Sequence, residues 1–528
     1  MCVLGAIFFF VGLILILFSW QSTHPVYMPE VSVYTFDQFF PSIWFGISIS
    51  LVGLFLTGFF SKSKIIRLIC AASFPLILYS YSYFFTTLSS PDIGNVRGMF
   101  EVFHKVGIHS DIISYFQYPV YFSLNEILRE ILQADINLIS GLLFAIFGIL
   151  LAIFLFLYIS KFYKNSTYQI AFVTIPLYFV GLFSFINYQW VPQTLALVFF
   201  FLLLFLISKQ GYEYKILSII IFTTLVFTHA FIPTMFLIFF GVYSFKKREN
   251  LDIFILMICI YTAVLVYYTT YYFPVIADTF TNTIYSFGKD YNIKVTRSFK
   301  DPTTYMMQVI STINRIRVPL VWLVVSFGTF LIFIKKKLDF KMIALGASSS
   351  CYLAVGLFYP ILGMRALQIL LVAVVIGIYF FLKRWKKLTV IFILVILVFS
   401  VFGPMRDSYN QTQYQLEEEK NACSYLANNI PTVGQKTIAI GQINWGYFTI
   451  FYKYLYDKYV NAYRPGNDEF YKIFNTTINE GGYILYNPNL GKETVSYGMN
   501  IEELEDIVYD KITRNKIYQC GNTQIISN

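Results

Sequence analysis

The chain has 528 residues, of which 57% are hydrophobic, 20% aromatic and only 13% charged, about half the ~25% charged fraction of an ordinary soluble domain. A mean hydropathy of +0.62 excludes a water-soluble enzyme, because too little polar surface remains to cover several packed domains. The net charge of +10, from 39 Lys and Arg against 29 Asp and Glu, raises nucleic acid as a partner. Its distribution, concentrated in short loops between apolar runs, points to a membrane and away from nucleic acid.

Thirteen apolar runs in the first 403 positions approach the ~20 residues a helix needs to cross ~30 Å of hydrocarbon. They cover 3–20, 41–60, 68–87, 136–160, 167–186, 192–207, 214–230, 231–245, 251–272, 318–334, 342–359, 366–382 and 388–403. The first has no basic leading region and no small-residue cleavage site, so it reads as a retained helix. The pair meeting near His229 and Pro233 also admits a re-entrant hairpin. Six short loops, at 61–67, 161–166, 208–215, 246–250, 335–341 and 383–387, hold 18 Lys and Arg in 38 residues, and the intervening loops hold 10. Basic residues stay on the cytoplasmic side. The expected fold is therefore a polytopic α-helical membrane protein of about 13 transmembrane helices, N-terminus inside and C-terminus outside. Every Lys and Arg falls in a loop or the tail, with Lys215 at the shared edge of loop 208–215 and the run 214–230, and Asp252 is the only acid within a run. Proton pumps and ion channels need buried ionisable groups at mid-membrane depth, so attention moves to the outer loops 88–135 and 273–317 and to the tail.

In loop 88–135, Ile93, Val96, Phe100, Phe103 and Val106 fall on one helical face, with Asp92, Arg97, Glu101 and Lys105 off it and Gly107 closing the pattern. A second helix repeats Leu124, Ile127, Leu128, Ile131 and Leu132, with Ser123 and Glu126 as a capping box at its start. Both read as helices on the membrane surface. Between them, Gly107-Ile-His-Ser-Asp-Ile-Ile-Ser-Tyr-Phe-Gln-Tyr-Pro119 forms a candidate active-site strip. Loop 273–317 carries acids, six Lys or Arg and a short helix over about 303–314, in the manner of a mobile lid. Three further segments open on the outer face: Asn187-Tyr-Gln-Trp-Val-Pro-Gln193, Thr228-His-Ala-Phe-Ile-Pro233 and Tyr359-Pro-Ile-Leu-Gly-Met-Arg365.

From 404 to 528 the composition changes to 11 basic and 14 acidic residues, as expected of a folded extracytoplasmic α/β domain. Thr437-Ile-Ala-Ile-Gly and Tyr483-Ile-Leu-Tyr read as strands, Ile501 to Val508 as a helix, and Lys516 to Ile526 as a hairpin turning at Gly521-Asn522. Of the six cysteines only Cys423 and Cys520 fall in this domain, and an oxidising compartment would pair them as a disulfide.

Four features together resemble the GT-C class of membrane glycosyltransferases: the helix count and orientation, an early outer loop of two surface helices bearing an acid, an Arg at an outer helix end, and a C-terminal outer domain. Trp190-Val-Pro-Gln193, Thr228-His-Ala-Phe-Ile-Pro233 and Asn515-Lys-Ile-Tyr-Gln-Cys-Gly resemble short signatures in an archaeal and bacterial branch of that class. The resemblance implies transfer of a sugar from a polyprenyl-phosphate-linked donor to an acceptor glycan, lipid or protein, at the outer face of the plasma membrane. Pro91-Asp92-Ile-Gly carries one carboxylate where familiar members carry two, so no metal ligands are assigned. No cofactor is required, and a divalent cation, Mg2+ or Mn2+, is the one admissible addition.

Such a transfer needs a base at the acceptor hydroxyl and positive charge at the leaving phosphate. Asp92 and Asp111 are the candidate bases, although Asp92 after Ser89-Ser90-Pro91 also has the form of a helix N-cap. Arg365 is the candidate phosphate ligand, with interface snorkelling as the plain alternative. His229 and Gln193 are expected to bind substrate or else to satisfy nearby backbone groups. His104 and His109 read as members of solvated faces, and His104 and Arg97 are retained as substrate-binding candidates. No zinc spacing, glycine-rich phosphate loop or nucleophile elbow is present. Two other functions stay open: a flippase, which predicts polar residues through several helices, and a glycan polymerase or ligase, which predicts several Arg in one outer loop, as with Arg297, Arg315 and Arg317.

Overall fold

A computed structural model describes residues 1–23, 41–80, 96, 99–100, 103–104, 107, 119–134, 136–162, 167–182, 191–209, 211–229, 231–266, 305–335, 339–356, 360–403, 425, 437–440, 460–462, 483–486, 516–520 and 523–527. In chain order the helices are α1 (Cys2–Thr23), α2 (Pro41–Phe60), α3 (Lys64–Leu78), α4 (Pro119–Leu132), α5 (Ile136–Ile159), α6 (Thr167–Gly181), α7 (Pro192–Ile207) and α8 (Tyr212–Val226). They continue with α9 (Ile232–Lys246), α10 (Leu251–Val266), α11 (Tyr305–Ile334), α12 (Phe340–Gly356), α13 (Pro360–Val375), α14 (Ile378–Arg384) and α15 (Lys386–Ser400). Among the described residues, five stretches are long and apolar enough to cross a membrane: Cys2–Ser19, Ser42–Phe60, Leu138–Ile159, Arg315–Ile334 and Arg365–Arg384. The chain is thus a helical membrane protein. Four further apolar helices, α6, α7, α9 and α10, are shorter.

Between helices in lipid there is little hydrophobic drive, so small residues and backbone approach hold them together. In α1, Gly5, Phe9, Gly12, Ile16 and Ser19 recur at three and four and line one side, while Val3, Ile7, Phe10, Ile14 and Phe18 stay exposed. The matching seam of α2 is Gly46, Ser50, Gly53 and Thr57. The two run antiparallel: Cys2 Sγ reaches Thr57 O at 3.6 Å, Ser50 Oγ donates to Phe9 O at 3.4 Å, and the Ser19 and Ser42 hydroxyls bond at 2.7 Å. A methyl added at Gly5 would lie 2.6 Å from Thr57 N, and one at Gly46 would lie 2.8 Å from Gly12 O. A second seam joins α11 to the break between α13 and α14, where Gly328 and Gly377 face each other and Thr329 Oγ1 donates to Val374 O at 2.9 Å.

Basic side chains gather at one end of the bundle and lie on aromatic rings, most of them at helix ends. Lys246 Nζ sits 4.7 Å from the Phe340 ring, Lys341 5.3 Å from Phe162, Lys335 4.6 Å from Phe380, Lys386 5.5 Å from Phe59 and Lys64 4.8 Å from Tyr168. Lys209 and Lys215 line a cleft with Asn250, which brings the remaining basic loop to the same end. Burial pushes the Lys341 ammonium below its ordinary range, and Asp339 opposes that shift. Cations stacked on rings at a helix-end level are what an interface belt requires.

Beyond the helices, β1 (Thr437–Ile440), β2 (Val460–Ala462), β3 (Tyr483–Tyr486), β4 (Lys516–Cys520) and β5 (Thr523–Ser527) form one sheet in the order β2-β1-β3-β5-β4. β1 is parallel to both β2 and β3, with Ile438 opposite Asn461 and Ile484. β5 closes on β3 and β4 in antiparallel fashion, and the expected hairpin turns between Cys520 and Thr523. β1 is an interior strand with a parallel neighbour on each side, a position that favours an apolar run such as Thr437-Ile-Ala-Ile. The expected helix at Ile501 to Val508 lies outside the described residues.

Four sequence expectations are corrected. The second outer-loop helix begins at Pro119, four residues before Ser123, because proline at the first helical position has no N–H to orphan and a pre-set φ; Ser123 and Glu126 are therefore inside the helix and form no cap. The short helix expected at 303–314 and the run at 318–334 are one 30-residue helix, α11, that carries Arg315, Arg317 and Pro319. The run at 366–382 is interrupted at Ile376 and Gly377, where Val325 O and Thr329 approach too closely for a side chain. The expected surface placement of the outer-loop helices also needs revision: Val96, Phe100, Tyr121 and Phe122 are buried in the protein core, whereas Ile127, Ile131 and Leu132 of α4 remain exposed.

Candidate functional site

At the end of the bundle opposite the basic loops, prolines set where helices start. α7 opens at Pro192 after the extended Val191, and α9 opens with Pro233 in its first turn; neither has a side-chain cap. Between α8 and α9 the chain turns tightly. Thr228 Oγ1 donates to Thr224 O at 2.7 Å, His229 N donates to Leu225 O at 3.2 Å, and Phe231 N donates to His229 Nδ1 at 3.1 Å. An imidazole that accepts at Nδ1 carries its proton at Nε2 and is neutral. The bland reading of His229, a ring satisfied by backbone, thus holds for one nitrogen, although the partner is an N–H and not a carbonyl.

Phe231 connects this turn to two other helices. The Arg365 guanidinium of α13 lies with its carbon 5.5 Å from the Phe231 ring centre, and His229 packs on the same ring at 6.0 Å. Arg365 is within electrostatic reach of His229. The Tyr352 hydroxyl of α12 donates to Phe231 O at 3.2 Å, and Thr234 bonds the Tyr261 hydroxyl of α10. Gln193, in the first turn of α7, donates from Nε2 to Gln368 Oε1 at 3.0 Å. Gln368 is 1% exposed and stands three residues after Arg365, on the same face of α13. Its own Nε2 is buried and has no partner among the described residues. The structure therefore gathers Gln193, His229 and Arg365, and adds Phe231, Gln368, Tyr352, Thr234 and Tyr261. Counting amides as well as charges inside the apolar runs would have flagged Gln368.

Helix α4 is attached at this same end. Val120 N points to Phe227 O at 3.4 Å, and Tyr121 and Phe122 are fully buried beneath it. Burial pushes the Tyr121 phenol well above its ordinary range, partly offset by the Asn125 side chain, whose amide also donates to Tyr121 O at 2.7 Å.

The remaining candidates fall elsewhere. Asp92, Arg97, Asp111, His109 and Cys423 lie outside the described residues. Cys520 ends β4, and its pairing with Cys423 is likewise outside them. His104 is exposed, as expected of a solvated face, and its Nδ1 meets Glu126 Oε1 at 2.7 Å. Arg317, 7% exposed, donates from Nη1 to Ser400 O at 2.8 Å at the C-terminus of α15, which is a structural engagement. Several Ser and Thr hydroxyls inside helices, among them Thr174, Ser218, Thr223, Ser349 and Thr389, return to carbonyls three or four residues back.

A permanently charged planar cation, a neutral imidazole with its proton at Nε2 and a paired carboxamide make a site for an oxygen-rich anion. The gathered residues include no carboxylate. A proton acceptor for chemistry here must come from another segment. No protein-family model matches the chain, and no curated protein matches it.

Proposed function

We propose that this chain is a multi-pass membrane glycosyltransferase of the GT-C class. In this reading thirteen helices span the plasma membrane with the N-terminus inside, the basic loops face the cytoplasm, and the sheet belongs to an extracytoplasmic α/β domain covering 404–528. The gathering of Arg365, His229 and Gln193 at the end away from the basic loops, with an outer-loop helix attached to the same turn, is the observation that carries it. That is where a lipid-anchored sugar phosphate would present its head group.

The acceptor hydroxyl oxygen attacks the anomeric carbon of the donor sugar. A new carbon–oxygen bond forms, the bond from the anomeric carbon to the phosphate oxygen breaks, and polyprenyl phosphate leaves with the electron pair. The acceptor proton passes to Asp92, at the start of the first outer-loop helix, or to Asp111, in the strip that leads into α4. Arg365 neutralises the charge growing on the phosphate, and Gln193 and the His229 Nε2–H orient its oxygens. Phe231 holds the guanidinium by its face.

Purified protein incubated with a panel of polyprenyl-phosphate sugars and candidate acceptors should release polyprenyl phosphate in step with sugar transfer. Lipid-linked sugar crossing vesicles unchanged would establish the flippase reading instead.

A further inference from the structure

Apart from the Arg365 group, one set of metal-ligating side chains comes together among the described residues. His104, Glu126 and Glu130 bring their ligand atoms all within 4.8 Å of one another. Glu126 and Glu130 are four apart on α4, so one helical turn stacks them on a single face. His104 comes from the helical segment that ends at Gly107, whose φ of +73° breaks the helix. The His104–Glu126 contact occupies one carboxylate oxygen of Glu126. Its other oxygen, Oε2, is shut off from solvent and has no hydrogen-bond partner among the described residues, and Glu130 adds a second negative charge one turn away. A sealed carboxylate oxygen without a donor is costly, and like charges at this spacing repel. One imidazole proton cannot answer both; a divalent cation can.

We propose that His104, Glu126 and Glu130 bind a divalent transition-metal ion, zinc in the first place, which staples the helical turn at Phe103 and His104 to α4. One imidazole nitrogen with two carboxylate oxygens suits zinc. Magnesium prefers an all-oxygen shell and keeps its waters. Zinc–ligand bonds of about 2.0–2.2 Å need only side-chain rotation at the exposed His104 and Glu130, and the bound ring is a neutral imidazole that ligates through one nitrogen and keeps its proton on the other. Water fills the fourth position. The helices already touch through Phe103 on Phe122 at 5.9 Å and Arg129 on Phe100 at 5.7 Å, so the ion reinforces an existing contact. Glu126 and Glu130 lie about 9 and 15 Å along α4 from Val120, at ~1.5 Å per residue. The ion therefore sits away from the Arg365 group, and its role is independent of the glycosyltransferase reading.

The test is calorimetric titration of the chelator-treated full chain in detergent with Zn2+, Mn2+ and Mg2+ in turn. One Zn2+ per chain is expected, with weaker Mn2+ and no measurable Mg2+ binding. Glu130→Gln and His104→Asn should each weaken Zn2+ at least tenfold, and Glu213→Gln, at the opposite end of the bundle, should leave it unchanged. Zn2+ should also slow proteolysis of the outer loop at least threefold in the wild type and not in the two variants. Both changed side chains are exposed, so the variants keep the fold, which the helical circular dichroism signal verifies. No stoichiometric Zn2+, equal Zn2+ affinity in all four proteins, or Mg2+ binding as tight as Zn2+ would each overturn the proposal.

Discussion

Arg365 and Phe231 stack across two helices, the guanidinium carbon 5.5 Å from the ring centre. The contact joins α13 to the α8–α9 turn and directs a charge that would otherwise be free to snorkel into bulk water. If the cation holds the donor phosphate, Arg365→Ala should weaken binding of a polyprenyl-phosphate sugar by 10- to 100-fold, on the basis of ~1.5–3 kcal/mol for a charge-assisted hydrogen bond. Phe231→Leu should cost only two- to fivefold, in line with ~0.5–1 kcal/mol for an exposed cation–π contact. Arg365→Lys should fall between, since it keeps charge and loses the fork. Equal donor affinity in all three variants, measured by equilibrium binding in detergent, would reduce Arg365 to an interface anchor.

The Gln193–Gln368 bond separates two roles. If it is only structural, Gln193→Ala strands the buried Gln368 amide and destabilises by ~1–3 kcal/mol, and the double change Gln193→Ala with Gln368→Leu recovers most of that. Within a membrane the bond itself is worth only ~0.6 kcal/mol on average, so the cost comes from the stranded group. Thermal unfolding of the four combinations in detergent measures this. A double variant as stable as wild type yet unable to bind donor would assign the pair to substrate.

The apolar runs were legible because a span must bury every backbone polar group in its own helix, and hydropathy alone marks where that happens. Strands β1 and β3 and the closing hairpin were readable for the same local reason: short apolar runs bounded by turn residues. Pairings over distance were not. Nothing near Gln193 indicates Gln368, 175 positions on, and nothing near His104 indicates Glu126, because both pairings depend on how helices pack. Ser123 and Glu126 looked like a cap because the capping pattern is local, and Pro119 overrode it with a stronger local constraint. The α13–α14 interruption depends on Val325 and Thr329 of another helix, a contact that no periodicity in residues 366–382 contains.

Arg317 tests the polymerase alternative. Its guanidinium donates to Ser400 O, and a methyl on Gly403 would come within 2.9 Å of its Nη2. Arg317→Met should therefore lower stability by ~1.5–3 kcal/mol and leave turnover per folded molecule unchanged. A large loss of turnover without a shift in thermal midpoint would instead make this arginine a reaction component.

The glycine seams give opposite expectations for one kind of substitution. Gly5 and Gly46 sit where α1 and α2 backbones touch, so Gly46→Ala must push the helices apart or shift Gly12 O, 2.8 Å from the new methyl. Overpacking of this kind costs ~1–3 kcal/mol. Gly141 of α5 and Gly346 of α12 have nothing within 4 Å of an added methyl, and at such open helical positions alanine relieves the ~0.5–1 kcal/mol entropy penalty of glycine. Thermal midpoints in detergent should fall for Gly5→Ala and Gly46→Ala and rise slightly for Gly141→Ala and Gly346→Ala. The contrast is specific to the antiparallel α1–α2 seam: a different packing of the first two helices would leave all four variants indistinguishable.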